Sequence, residues 1–279
     1  MKIIKSPQQM QSACLTLKKK GRTIGFVPTM GALHEGHLSL IRKARQENDI
    51  VAVSIFVNPR QFGPQEDLKK YPRPLARDLA LCKKCGVDLV FNPGVNGFYP
   101  RDFKTNVYVE GLSQQLCGAS RPEHFRGVTT VVAKLFNLAQ PDCAYFGQKD
   151  AQQAVIVKRM AEDLNFPVKI KVLPIVRQKD GLAMSSRNIY LNKTQRQDAL
   201  VLSKALGLAR LLIRHGQKDS AKIIAKMRAL IVKNKSAKID YLAIVDLVNL
   251  NPVKKVTRNC LIALAVKIGK TRLIDNTII

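Results

Sequence analysis

Apolar positions along the chain follow two periods. Over Ile24–Thr29 and Asp49–Val57 they run almost unbroken, the pattern of parallel strands covered on both faces. Val87–Phe91, Cys143–Phe146 and Val168–Ile175 repeat it in shorter form. Between these runs, residues 6–20, Glu35–Asn48, Pro74–Gly86, Gly127–Ala139 and Asp150–Leu164 show the spacing of amphipathic helices. Ser6-Pro7 and Asp150 are cap signals for the first and last of them. Strand alternating with helix predicts right-handed crossovers and an α/β fold: a Rossmann-like parallel sheet with helices on both faces. Residues 92–126 interrupt the alternation with a loop-rich stretch holding one short strand, Thr105–Glu110, and its length suits a lid or binding loop. After Pro174 the pattern changes. A polar loop, Lys179–Leu191, leads to helices near Thr194–Arg214 and Ser220–Asn234, then to strands at Ile239–Val245, Cys260–Ile268 and Arg272–Asp275. The expected division is a Rossmann-like domain over 1–175 and a smaller α+β domain over 176–279.

Ligands of open parallel sheets bind outside the carboxyl ends of the strands. Three polar segments fall there: Met30–His37, Asn58–Gly63 and Gly147–Asp150. The first is a strand–turn–helix with His34 and His37 three residues apart, on one helix face. Unpaired N–H groups at that helix start suit a phosphate. A fourth segment, Met184–Asn188, adds hydroxyls and Arg187. Together they offer His, Lys, Arg, hydroxyls and amides but little carboxylate, a set suited to a polyanion. It fits neither paired-carboxylate hydrolysis nor a Ser-His-Asp triad. Neither a G-x-x-x-x-G-K-[ST] phosphate loop nor a G-x-G-x-x-G after the first strand is present. Plainer readings stand beside these. One histidine packs while the other is exposed; Lys149-Asp150 is a surface ion pair; Ser185-Ser186 caps a helix; Gln61 and Gln153 are solvated amides.

The formal charge of +27 brings nucleic-acid binding into question. Lys179 onward holds 20 basic and 6 acidic residues and the preceding chain 27 and 14, so the charge is spread. Aromatics do not interleave with it, which leaves nucleic acid the weaker expectation and a basic RNA-binding protein the non-enzyme alternative. Apolar runs are too short to cross a bilayer and the N-terminus lacks a signal-peptide block; a cytoplasmic protein is expected. Of six cysteines, Cys82 and Cys85 form a C-x-x-C without a second ligand pair, read as two incidental reduced thiols.

Pro28-Thr29-Met30-Gly31-Ala32-Leu33-His34-Glu35-Gly36-His37 resembles the HxGH signature of the nucleotidyltransferase superfamily, and Met184-Ser185-Ser186-Arg187 its second ATP loop. With Phe56–Phe62, Tyr71-Pro72-Arg73, Arg121–Val128, Lys149-Asp150 and Thr271–Asn276, the order and spacing resemble the pantothenate synthetase (pantoate–β-alanine ligase) family from end to end. The resemblance implies condensation of pantoate with β-alanine, with ATP and Mg2+, through a pantoyl-adenylate, in a homodimer. It implies His37, His34, Lys149 and Arg187 as catalytic groups. Met30, Gly31, Gly147, Asp150, Val176, Met184, Ser185 and Ser186 would join them around ATP. Asn58, Gln61 and Gln153 would hold pantoate, and Asp78 would be a metal ligand. His124 and Arg126 are left between a substrate or lid contact and a structural role. Gln148 stands where many members carry Glu, and Arg77-Asp78 where some carry consecutive acids. The alternative enzyme is a nucleotidyltransferase that keeps the nucleotide in its product.

Overall fold

The computed structural model describes residues 1–279. Six strands form the main sheet: β1 (Lys2–Ile4), β2 (Ile24–Thr29), β3 (Ile50–Ile55), β4 (Leu89–Phe91), β5 (Cys143–Gly147) and β6 (Lys169–Leu173). All pairings are parallel, in the order β1-β4-β3-β2-β5-β6. Around the sheet lie α1 (Pro7–Lys19), α2 (Glu35–Glu47), α3 (Leu75–Lys84), α4 (Val95–Phe98), α5 (Cys117–Ser120), α6 (His124–Ala139) and α7 (Ala151–Asp163). Successive strand residues point to opposite faces. Ile24 and Phe26 accordingly join a core with Met10 of α1, Val132 of α6 and Ile156 of α7. Val27, Val51 and Val53 join a second core with Ile41 of α2 and Cys82 of α3. The near-continuous apolar runs thus record burial on both faces.

The chain steps from β2 outward to β3 and β4, then returns to place β5 on the other side of β2. The crevice of such a sheet opens where the strand order reverses. The carboxyl ends of β2 and β5 flank that point.

The remaining chain forms α8 (Lys193–Arg214), α9 (Ser220–Val232) and an antiparallel sheet of β7 (Ala237–Asp246), β8 (Cys260–Ile268) and β9 (Thr271–Ile278). Ile262 and Leu264 of β8 pack with Leu202, Leu206, Ile223 and Met227 of the two helices. Leu261 and Ala263, on its other face, join the core of the parallel sheet. The small sheet is therefore clamped between its own helices and the larger body, close to the crevice.

Several expectations need correction. Thr105–Glu110 is not a strand. Thr130 Oγ1 accepts from the Val107 N–H at 3.0 Å and Thr129 Oγ1 donates to the Val107 carbonyl at 2.6 Å, so α6 side chains replace a strand partner. The edge strand β1 was too short to show a period. Helix α6 starts at His124 rather than Gly127. Gly127 is needed inside it because an added Cβ would lie 2.2 Å from the Arg60 carbonyl oxygen. Ser6 caps α1 by accepting from Gln9 N–H, whereas Asp150 heads α7 without a capping hydrogen bond. All six cysteines are free thiols. No helix is long and apolar enough to cross a membrane.

Candidate active site

At the end of β2 the chain turns sharply into α2. Thr29 Oγ1 donates to the Ser54 carbonyl at 2.7 Å and accepts from Gly31 N–H at 3.1 Å. Gly31 takes φ +81°, and a Cβ there would meet both Asp78 and Ile55 at 3.0 Å. Only glycine fits that conformation and that space. Gly31 is buried and sets the shape of the turn.

Asp78, expected as a metal ligand, has a structural task. Its carboxylate is fully buried and accepts from the N–H groups of Ala32 and Leu33, both at 2.8 Å. Burial raises it above the ordinary carboxylate range even though both N–H groups favour the charged form. No group of three or more His, Cys, Asp or Glu side chains is placed to hold a metal. Asp78→Ala would strand two buried donors, at roughly 1–3 kcal/mol each. The expected result is a thermal midpoint lowered by several degrees; an unchanged melting curve would contradict this assignment.

The two imidazoles sit at the start of α2 with ring centroids 4.1 Å apart. His37 N–H donates to the His34 carbonyl at 2.8 Å, and His34 N–H donates to His37 Nδ1 at 3.3 Å. That second bond fixes the tautomer: Nδ1 accepts, so the proton of neutral His37 rides on Nε2. Burial, then His34 and Lys149 beside it, hold His37 well below the usual imidazole range. Burial and Lys149 push His34 down to about 4. Both rings are therefore neutral at pH 7 in the free chain. His34 Nδ1 is buried with no partner and packs against Gly36, where an added Cβ would lie 3.0 Å from it.

Facing them across the crevice is the end of β5. Lys149 Nζ lies 3.7 Å from Asp150 Oδ1, and its side chain is about one-fifth exposed. A second loop is a small hairpin. Arg177 pairs with Ala183, Met184 N–H donates to the Val176 carbonyl at 3.0 Å, and Ser185–Arg187 follow. Ser186 Oγ donates to the Ala32 carbonyl at 3.1 Å, tying this loop to the histidine turn. Ser185 accepts from Arg187 N–H at 3.2 Å and so caps the short helical turn after it. The Arg187 guanidinium is already engaged. It donates from Nε and Nη2 to the Asp67 carboxylate at 2.9 and 2.8 Å. Burial disfavours both charges, but the fork outweighs it, leaving Asp67 below and Arg187 above their ordinary ranges.

These groups open on one cavity of about 1590 Å³, lined by Met30, His34, His37, Gly147, Lys149, Asp150, Val176 and Met184 through Arg187. Asn58, Gln61 and Gln153 line the same cavity. A family model described as pantoate-beta-alanine ligase matches residues 2–278.

The chain belongs to the pantoate–β-alanine ligase family.

The pantothenate synthetase of Heliobacterium modesticaldum is 55% identical over 279 residues, covering 100% of this chain and 99% of its own length. That of Moorella thermoacetica is 53% identical with the same coverage. The pantothenate synthetase of Thermus thermophilus superposes with a TM-score of 0.94 at 44% identity over 99% of both chains. A pantoate-beta-alanine ligase from Francisella tularensis, complexed with beta-gamma ATP and beta-alanine, gives 0.81 at 37% identity over 100% of this chain and 97% of that one.

In this member of the pantoate–β-alanine ligase family the three expected amides differ in their freedom. Asn58 is fully committed. Its Nδ2 donates to Gln61 Oε1 and the Gly127 carbonyl, both at 3.0 Å, and its Oδ1 accepts from Tyr99 at 3.1 Å. It orients Gln61 rather than offering itself. Gln61 Nε2 meets only Met30 Sδ, a weak acceptor, at 3.1 Å. Gln153 is half-buried on the cavity wall. His124 Nδ1 lies 2.8 Å from the Gln61 carbonyl, and Arg121 grips Glu66 through Nε and Nη2 at 2.6 and 2.5 Å. Sequence reasoning missed three further groups. Gln152 Nε2 donates to the Leu112 and Gln115 carbonyls and its Oε1 accepts from Cys117 N–H, stapling the 92–126 segment to α7. Asp67 carried no local signal. Asp275-Asn276 did carry one, as the end of the Thr271–Asn276 stretch that helped carry the resemblance, but only the structure shows both buried side by side.

Proposed function

We propose that this chain condenses pantoate with β-alanine at the expense of ATP, releasing AMP and pyrophosphate. The observation that carries the reading is the meeting of two cationic or N–H-rich loops, His34–His37 and Lys149, at the strand-order reversal. An amide-lined pocket opens beside them in the same cavity. The pantoate carboxylate attacks the α-phosphorus of ATP, forming the acyl–phosphate bond and breaking the bond to the bridging oxygen. Negative charge then builds on the departing pyrophosphate. His37 donates its Nε2–H to that oxygen as a neutral hydrogen-bond donor, His34 assists at the neighbouring oxygen, and Lys149 supplies the full positive charge. Gly147, Met184, Ser185 and Ser186 hold the nucleotide around this point, with Met30, Asp150 and Val176 beside it. Gln61 and Gln153 orient the pantoate hydroxyls and carboxylate without adding a competing charge. Arg187 works through its pair with Asp67, or turns to the phosphates once they arrive. In the second step the free amine of β-alanine attacks the activated carbonyl carbon, AMP departs, and the amine proton passes to solvent. Mg2+ would arrive with ATP and would offset phosphate charge; Asp150 is the carboxylate on this cavity wall beside Lys149. The reading includes a cytoplasmic homodimer, as the family resemblance implies.

The adenylate route predicts pantoate-dependent exchange of labelled pyrophosphate into ATP without β-alanine. Absence of exchange in an enzyme that still makes pantothenate would overturn the route. A final product that keeps the AMP group, followed with ATP labelled at the α-phosphate, would favour the nucleotidyltransferase alternative.

A further inference from the structure

Two adjacent residues of β9 reach across from the small sheet to both phosphate-facing loops. Asn276 Nδ2 donates to the Gln148 carbonyl at 2.8 Å and to the Lys149 carbonyl at 3.0 Å. Carbonyl oxygens only accept, so the amide orientation is forced. Its Oδ1 then accepts from Gln148 Nε2 at 3.2 Å. Asp275 accepts the Arg177 fork at 2.7 and 2.9 Å, and also the N–H of Asn276 at 2.8 Å. Arg177 opens the hairpin that delivers Met184–Arg187, and its Nη1 also donates to the Gly181 carbonyl at 3.1 Å. Both side chains are nearly fully buried, with 2% and 3% exposure.

We propose that Asn276 is a positioning residue for the adenylation step, setting the backbone of Lys149 while Asp275 holds the second ATP loop in register with it. This rests on the reading of Lys149 as the charge that stabilises the departing pyrophosphate. The backbone of residues 147–150 forms only a single helical turn between β5 and α7. Such a turn has few bonds of its own, and the Asn276 amide adds a side-chain donor to two of its carbonyls. Tying them to a buried amide converts a short connector into a fixed platform. A displacement of the Lys149 ammonium by about 1 Å is enough to cost on the order of a hundredfold in rate. The contact also explains why a sheet that supplies no histidine, lysine or serine from the ATP-binding motifs is needed at the crevice: it carries the register between the loops.

The test uses Asn276→Asp, which is isosteric but sets a carboxylate oxygen against two carbonyl oxygens. Asn276→Ala, which removes the amide without adding charge, serves if the first variant does not fold. Pantoate-dependent ATP–pyrophosphate exchange is measured for the variant, for Lys149→Ala and for the double variant. The expected result is a loss of exchange of on the order of tenfold or more with the KM for pantoate unchanged. In the Lys149→Ala background the same substitution should change the rate by less than about twofold, because a positioning residue has nothing left to position. Additive losses would overturn the proposal, as would native exchange in the Asn276 variant when Lys149→Ala has lost it. Native exchange in Lys149→Ala itself would instead overturn the underlying reading of the site.

Discussion

Replacing His37 by alanine should lower turnover by on the order of a hundredfold or more, while leaving a folded protein. The lost group is a neutral Nε2–H donor whose tautomer is set by the 3.3 Å bond from His34 N–H to Nδ1. Burial, with His34 and Lys149 beside it, keeps the ring from protonating near pH 7. In the proposed mechanism its service to the leaving pyrophosphate is therefore a preorganised hydrogen bond rather than a stored proton. Such a donor acts on charge that develops only in the transition state, so kcat should fall more than the KM for pantoate rises. The structural cost is one N–H bond at the first turn of α2, about 0.5–1.5 kcal/mol. Circular dichroism melting separates the two effects. Near-normal turnover with an intact fold would remove His37 from the mechanism.

Lys149→Ala is expected to show a loss of similar size, seen mainly in kcat/KM for ATP. Two unit charges about 4 Å apart at an effective dielectric near 20 interact by about 4 kcal/mol. A hundredfold loss corresponds to about 2.7 kcal/mol, well within that reach. The side chain is only about one-fifth exposed, so water screens it incompletely. The variant has a second readout. Lys149 helps to depress both imidazoles, so its removal should let His34 titrate above its value of about 4. The sign follows from losing a like charge, and a proton-resonance titration of the imidazoles measures it. Unchanged steady-state constants together with an unshifted His34 would show that the ammonium does not face the histidines in solution.

The two variants also bear on the plainer readings. Lys149 does pair with Asp150, but at 3.7 Å and with Asp150 half exposed, an ion pair of little worth to stability. Ser185 does act as a cap, so one hydroxyl serves local structure before any ligand arrives. Asn58 is the clearest shift of role, from proposed substrate contact to the brace of Gln61. With Asn58 engaged, Gln61 and Gln153 are the amides left for the proposed pantoate contact.

Much of the site was written in local sequence. A strand followed by a turn with glycine and two histidines three apart marks where the imidazoles meet, though not as two positions on one helix face: His34 is the extended N-cap of α2, and its N–H reaches His37 in the first turn. The unbroken apolar runs of β2 and β3 specify two-sided burial, and together with the alternation of elements they determine a parallel sheet with its ligand at the strand ends. Local period cannot report pairings between distant segments. The bond between Asp67 and Arg187 spans 120 residues, and the Asn276 amide reaches the Lys149 carbonyl across 127. The resemblance implied Asp78 as a metal ligand, from a position where some members carry consecutive acids; only the folded turn shows its oxygens accepting from Ala32 and Leu33. Thr105–Glu110 has strand-forming residues, yet the threonines of α6 take the backbone bonds of Val107. Sequence by itself determined which residues could stabilise a polyanion and where along the sheet they stand. Tertiary structure decided which of them are free to do so, because each buried polar group must find a partner and those partners come from anywhere in the chain.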